Sequence, residues 1–487
     1  MHPIEPRHRT RSRLAKGVAA SAIALAALTL TAPAASAAPA AELTPEAIDA
    51  YMTDLHEASG VPGLSVVVTH DDEIVHAAGY GHDSDGDAIT ADSPFRVASV
   101  SKSFTAMAVM ILAEEGAIAL DEPVADQLPG FTMADERADE ITVRHLLNQT
   151  SGFSDTTIDV VELQDATSLE DYVARLADDA LATDPGTDWE YANPNFNVAA
   201  RLVEVASGQT FEAFMEERVF APLGMEHSAT RDETIDPGLG YNNLFGLWMP
   251  RGAGVDGMLD DSGSGGIITS AADMGRWLIT QQGQGPQLVS AAGLAEMHTP
   301  SPVQDYGMGW GVEPDGTFVH SGNLMTFNSV EWIDPESGYG IAVLTNGAGM
   351  ADVTYTAMEA LAAMANGETP DEPKGDTLAQ IALAAVTLAA IALGVIGVVR
   401  SRRWAEKRRG RPAWRIGLRF IPVLLPAVLF LSYPALVSLI SNGRTVTWPS
   451  VFYFALPLTL ALLVAGAAGT ATAIARLLRI RSVGSAA

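Results

Sequence analysis

Within Phe95-Arg96-Val97-Ala98-Ser99-Val100-Ser101-Lys102-Ser103-Phe104, a serine and a lysine stand three positions apart. From Ser99 to Gly116 the apolar residues Val100, Phe104, Met107 and Ile111 step at helical spacing, with Ala, Met, Val and Leu between them. That pattern predicts a helix buried on most sides. Residues three apart on a helix lie one turn apart on the same face, so the Ser99 hydroxyl and the Lys102 amine are placed side by side at the helix start. The unpaired N–H groups of that end suit a developing oxyanion. The chemistry available to such a pair is nucleophilic acyl transfer, because a serine attacks once a neighbouring base takes its proton. A free lysine is neutral in only about one molecule in 2,500 at pH 7. Lys102 can therefore serve as that base only where burial or nearby positive charge lowers its pKa.

Two other segments carry polar groups that such a reaction needs. Asp188-Trp189-Glu190-Tyr191-Ala192-Asn193-Pro194-Asn195 reads as a loop before an apolar helix, Phe196–Ser207. Its Tyr-x-Asn offers a phenol to relay protons and an amide to hold a substrate carbonyl; a helix cap with an aromatic contact is the other reading of the same residues. Thr317-Phe318-Val319-His320-Ser321-Gly322-Asn323 reads as a strand ending in polar residues and glycine, and a glycine on an edge strand lets backbone N–H groups approach a ligand. The strands Ser329–Ile333 and Gly340–Leu344 follow it.

These segments need a scaffold. A helix is predicted over about Thr44 to Ser59, with Pro45 in its first turn. Gly63–His70 and Glu73–Gly81, separated by Asp71-Asp72, predict a hairpin. His82-Asp83-Ser84-Asp85-Gly86-Asp87 has the acids of a calcium loop, but its glycine is displaced and no glutamate closes it, so it reads as an acidic turn. His70, His76 and His82 fall on or beside the hairpin strands and are read as exposed or packed, not as a metal site.

Charge is distributed unevenly along the chain. Residues 1–37 carry five Lys/Arg and one acid, with an apolar run from Gly17 to about Leu30 and a small-x-small Ala35-Ser36-Ala37, the pattern of a secretory signal peptide. Residues 38–376 carry 57 acids against 11 Lys/Arg, which argues against nucleic acid or anionic lipid as a ligand. Only two lysines lie in that stretch, Lys102 and Lys374. No cysteine is present, so disulfides, thiolate metal sites and cysteine nucleophiles are excluded. Residues 366–376 are an acidic Pro/Gly-containing linker. Beyond them, three charge-free apolar runs at 377–399, 420–440 and 451–475 are each long enough to cross a bilayer. Nine Lys/Arg lie between 400 and 419, three follow the last run, and Arg444 alone occupies the middle hairpin. The positive-inside rule then puts 400–419 and the C-terminus in the cytoplasm and residues 38–365 outside. The expected location is the cell membrane, multi-pass, with the chemistry extracytoplasmic. The runs hold no Asp, Glu, Lys, Arg or His, which argues against an ion path.

Ser99-Val-Ser-Lys102, Tyr191-Ala-Asn193 and His320-Ser-Gly322, in that order, resemble the three active-site motifs of the serine β-lactamase and penicillin-binding-protein superfamily, most closely its class C β-lactamases and their esterase and D-peptidase relatives. Ile141–Phe153, Ala221–Met225, Gly265–Asp273, Tyr306-Gly-Met-Gly-Trp310 and Leu344-Thr-Asn346 are similar to further stretches of that group, and the resemblance covers about 43–365. It implies an α/β (α+β) fold: an antiparallel sheet flanked by helices, with an all-helical subdomain between the first two motifs. It also implies Ser99 as nucleophile and Lys102 and Tyr191 sharing the acid–base work. Asn193 would orient the substrate, His320, Ser321 and Gly322 would form the substrate-binding strand, and the N–H groups of Ser99 and Asn323 would form an oxyanion hole. No cofactor is implied. One position departs from the β-lactamase pattern. His320 stands where a lysine is expected to hold a carboxylate, and a histidine is mostly neutral at pH 7. The expectation is a membrane-anchored serine hydrolase of amides or esters, with a D-amino-acid peptide, cell-wall fragment or small ester as substrate. A β-lactamase proper and a catalytically silent receptor signalling through its membrane helices are the alternatives.

Overall fold

The computed structural model describes residues 43–252, 260–441 and 443–484; the expected signal peptide lies outside the described residues. Thr44 caps the first helix, Pro45–Ser59, by accepting a hydrogen bond from the Ala47 N–H, and Gly60 ends it in the left-handed conformation. The chain then forms the expected hairpin, β1 (Gly63–His70) and β2 (Glu73–Gly81). In the 82–87 turn, the Asp83 carboxylate accepts the N–H groups of Asp85 and Asp87. Much later come β3 (Gly311–Val312), β4 (Phe318–Leu324), β5 (Phe327–Asp334) and β6 (Tyr339–Thr345). These six strands make one sheet in the order β2-β1-β6-β5-β4-β3, antiparallel at every pairing. The N-terminal hairpin thus lies beside the last strand of the sheet in chain order, Leu64 opposite Thr345.

Both faces of the sheet are covered, and β1 is buried over nearly its whole length. Alternation sorts its residues: Val66 and Val68 pack with Ile48, Met52, Leu55 and Leu361 from the helices Pro45–Ser59 and Val353–Ala365. Val67 faces the opposite core, with Phe104, Trp277 and Leu278. That second core is the larger and is built around the helix Ser101–Glu114, of which twelve residues are buried. Phe104 stacks on Trp277 with ring centroids 3.8 Å apart. Between residues 101 and 207 the described chain contains helices and turns but no strand, the all-helical subdomain that the resemblance implied. Two smaller sheets, Gly240–Leu244 with Leu247–Arg251 and Gly347–Ala348, and Phe95–Arg96 with Ile268–Thr269, have no counterpart in the sequence reading; the two-residue strands among them are too short to show a periodicity.

The helix expected from Ser99 starts later. Ala98–Val100 form a 3-10 turn and the α-helix begins at Ser101. Ala98 has φ +47°, a left-handed conformation that non-glycine residues rarely adopt. The turn is pinned from several sides: Ser329 Oγ donates to Val97 O at 2.6 Å, Val97 N to Ile267 O at 3.0 Å and Ile267 N to Ser101 Oγ at 3.0 Å.

Of the three C-terminal apolar runs, the first is one helix, Thr377–Val399. The second is a pair, Ile421–Leu431 and Tyr433–Ile440, bent by 65°; Pro434 lacks the N–H that the preceding turn would need and disfavours helix in the residue before it. The third is interrupted at Ala455, two residues before Pro457, dividing Trp448–Phe454 from Leu456–Gly484. Among the described residues two helices are long and apolar enough to cross a membrane, three if the bent pair is one span.

Strand β4 approaches the 3-10 turn Ala98–Val100 so closely that a Cβ on Gly322 would lie 2.2 Å from Val97 O and 2.5 Å from Ser329 Oγ. Gly322→Ala is expected to destabilise the protein by about 1–3 kcal/mol through overpacking. Thermal or denaturant unfolding against wild type checks this.

Candidate active site

Three elements converge on the 3-10 turn at Ser99. The helix Ser101–Glu114 supplies Lys102, whose Nζ lies 3.0 Å from Ser99 Oγ and donates to the Ser264 carbonyl at 2.7 Å. Lys102 is 0% exposed. Burial, helped by the positive charge of Arg444, holds its pKa well below the usual lysine value. The amine is therefore poised to take a proton from Ser99.

The second element is the loop before the helix Pro194–Ser207. Tyr191 places its ring centroid 4.8 Å from Lys102 Nζ. Burial pushes its phenol up to about 12, although a hydrogen bond with Ser99 and the charge of Arg444 oppose the rise. It is a neutral hydroxyl at pH 7, fit to pass a proton. Asn193 sits at the N-cap position, yet its side chain makes no capping bond, and its buried Oδ1 has no partner. The helix-cap reading of this residue therefore fails, and an amide with an unmet hydrogen bond faces the cleft.

The third element is β4. Its neighbour β3 pairs only with Phe318 and Val319, so beyond Val319 no strand among the described residues pairs with its outer edge. Asn323 lines the same cavity as Ser99 and Asn193, about 290 Å³ in volume. His320 behaves differently from a free substrate contact. Its Nδ1 is 3.0 Å from Ser321 O, which can only accept, so Nδ1 carries the proton. Nε2 then accepts from the Tyr306 hydroxyl at 3.0 Å. Both ring nitrogens are taken, and burial, with the charge of Lys102, pushes the imidazole down to about 3. The ring is neutral at physiological pH and ties β4 to Tyr306.

Several residues that build the site had no role in the sequence reading. Gln149 Oε1 accepts from Ala192 N at 3.0 Å and Asn195 Nδ2 at 2.6 Å, fixing the Tyr191–Asn195 loop. Ser264 holds the lysine through its main-chain oxygen, which no side-chain pattern reveals. Its segment is docked by Thr105 Oγ1 on Gly263 O and Asn197 Oδ1 on Ser264 N. Arg444 was visible only as a lone charge.

Residues 48–365 match the Beta-lactamase family. The chain belongs to that family. Over 335 residues it is 33% identical to "Penicillin-binding protein 4" of Amycolatopsis lactamdurans, covering 64% of this chain and 86% of that protein. It is 29% identical over 300 residues to "Protein flp" of Staphylococcus aureus, covering 59% of this chain and 60% of that one. The octameric penicillin-binding protein homologue from Pyrococcus abyssi superposes with a TM-score of 0.57 at 24% identity, over 69% of this chain and 80% of its own. Each of the three motifs named from the sequence lies within the matched region.

Two outcomes follow from the protonation states. Because burial lowers the Lys102 pKa, its neutral form grows as pH rises through that value, so kcat/KM rises along one acid limb lying well below pH 10.5, and Lys102→Met lowers kcat/KM by about 10²–10⁴-fold. In the ligand-free protein the His320 ring resonances stay constant between pH 5 and 8 by NMR, whereas a solvated histidine titrates across that range.

Proposed function

We propose that this chain is a membrane-tethered serine hydrolase, facing outward, that is acylated on Ser99 by an amide or ester and then deacylated by water. The observation that carries this reading is a fully buried lysine amine 3.0 Å from a serine hydroxyl. The Lys102 amine takes the Ser99 proton as Oγ bonds to the substrate carbonyl carbon and the carbonyl electrons move onto oxygen. The N–H groups of Ser99 and Asn323 hold that oxygen. Collapse re-forms the carbonyl and breaks the bond to the leaving amine or alcohol, which receives the proton from Lys102 by way of the Tyr191 hydroxyl. Water repeats the sequence on the acyl-enzyme, its proton passing through Lys102 to Ser99 Oγ as the acid is released. Asn193 holds the substrate amide or carbonyl with its otherwise unpartnered side chain.

His320 favours an esterase, amidase or D-amino-acid peptidase over a β-lactamase proper. A neutral imidazole with both nitrogens committed has no charge with which to hold a β-lactam carboxylate. The three apolar runs and the placement of the Lys/Arg residues support a tether with the hydrolase domain, 38–365, outside the cell.

The test is a substrate panel on the detergent-solubilised full chain: D-Ala-D-Ala peptides, D-amino amides, short esters and cephalosporins. Multiple turnover of a peptide, amide or ester is expected, with Ser99→Ala lowering it by about 10³-fold or more. Preferential turnover of cephalosporins would make the protein a β-lactamase. Stoichiometric labelling of Ser99 without turnover would make it a receptor.

A further inference from the structure

The cavity beside Ser99 has two walls of different origin. One includes Ser99, Asn193 and Asn323 from the hydrolase domain; the other includes Arg444 and Thr445, from the loop after the second apolar run, and Phe454, from the short helix Trp448–Phe454 that opens the third. Three contacts seat that loop. Thr445 donates its N–H to Asp155 Oδ2 at 3.0 Å and its hydroxyl to Asp155 O at 3.2 Å. Arg444 Nε donates to the same carboxylate at 3.2 Å. Farther along, Arg251 of the hydrolase domain donates to Phe452 O at 3.1 Å and stacks its guanidinium 3.7 Å from the Tyr453 ring centroid. The Asp155 side chain is only 5% exposed, and an unpaired carboxylate at that depth is costly, so the two polar residues of the loop answer a need of the hydrolase domain.

Arg444 also reaches the reacting groups. Its Nη1 donates to the main-chain oxygen of Tyr191 at 3.3 Å, and its guanidinium carbon lies 5.3 Å from the Tyr191 ring centroid. We propose that residues 443–454 form a working wall of the active site and that Arg444 is a positioning residue, fixing Tyr191 and setting the electrostatic field at Lys102. The membrane segment is then part of the catalytic unit as well as its tether. This rests on the serine-hydrolase reading above.

The charged and titratable groups around the pair are few. Lys102 faces Tyr191, His320 and Arg444, and Arg444 faces Asp155 and Glu190. His320 is neutral, so Arg444 is the cation that favours the neutral amine. Its removal favours the ammonium, which moves the acid limb of kcat/KM to higher pH. Removing the Asp155 charge unmasks the guanidinium and moves the limb the other way.

The experiment uses the full chain in nanodiscs with the best ester of the panel. Arg444→Gln is expected to lower kcat/KM about threefold or more on the acid limb, with recovery at alkaline pH; Arg444→Lys keeps the limb in place, and Asp155→Asn shifts it to lower pH. A limb unmoved in a folded Arg444→Gln protein overturns the proposal, as does a loss that is the same at every pH. Seating of the loop is read separately. A Cβ on Gly443 would lie 3.1 Å from Thr156 Cγ2, and the chain has no cysteine. Gly443→Cys with Thr156→Cys is expected to cross-link under mild oxidation, joining the two fragments after proteolysis in the 366–376 linker. No cross-link overturns the docking, whereas cross-linking in a protein that turns over none of the panel overturns the hydrolase reading alone.

Discussion

A lysine amine with no exposure to water, held against a serine hydroxyl, constrains everything around it. A charged ammonium in that position would forfeit its hydration, so the buried form that the fold tolerates is the neutral one. Neutrality is also what makes the amine a base. The two hydrogen-bonding partners of Lys102 fit this state: the Ser264 carbonyl takes an N–H, and the nitrogen lone pair is left for the Ser99 proton. The surroundings are correspondingly tight. Thr105 and Asn197 fix the 263–264 segment, and Gly263 sits so near Phe196 that a Cβ would meet its carbonyl at 2.3 Å.

The same logic explains the backbone at Ser99. Ala98 is held at positive φ and Gly322 is pressed against Val97. Strain of this kind persists only where the surroundings over-determine it, and here β4, β5 and Ile267 all grip Val97–Ser101. The pairing of His320 with Tyr306 belongs to this framework. It ties β4 to the segment that carries Tyr306 and leaves the ring uncharged, so the third motif contributes shape and main-chain edge, not a cation.

Cationic character near Ser99 comes instead from far along the chain. Arg444 is more than three hundred residues from Ser99, yet it lines the same cavity. In a stretch as acidic as 38–376, a guanidinium from outside that stretch is a distinctive source of positive charge, and the buried Asp155 gives it a fixed seat.

Much of this was legible from residues alone. Periodicity identified the buried helix after Ser99, two β-rich runs around Asp71-Asp72 identified the hairpin 63–81, and unbroken charge-free length identified the apolar C-terminal runs. The order Ser-x-x-Lys, Tyr-x-Asn, His-Ser-Gly named the candidate site, since side-chain chemistry is written in residue type. What the sequence could not carry was written in the main chain or in distance. Ser264 acts through a carbonyl that every residue possesses. Ala98 takes a conformation its type disfavours, which moved the helix start to Ser101. Gln149 orders the Tyr191 loop by contacts more than forty residues away. The protonation states of Lys102 and His320 depend on burial, a property of packing and not of composition. Residue identity set which reaction the chain is equipped for; only the folded arrangement decided which groups are dry, which are neutral, and that a loop between apolar helices closes the site.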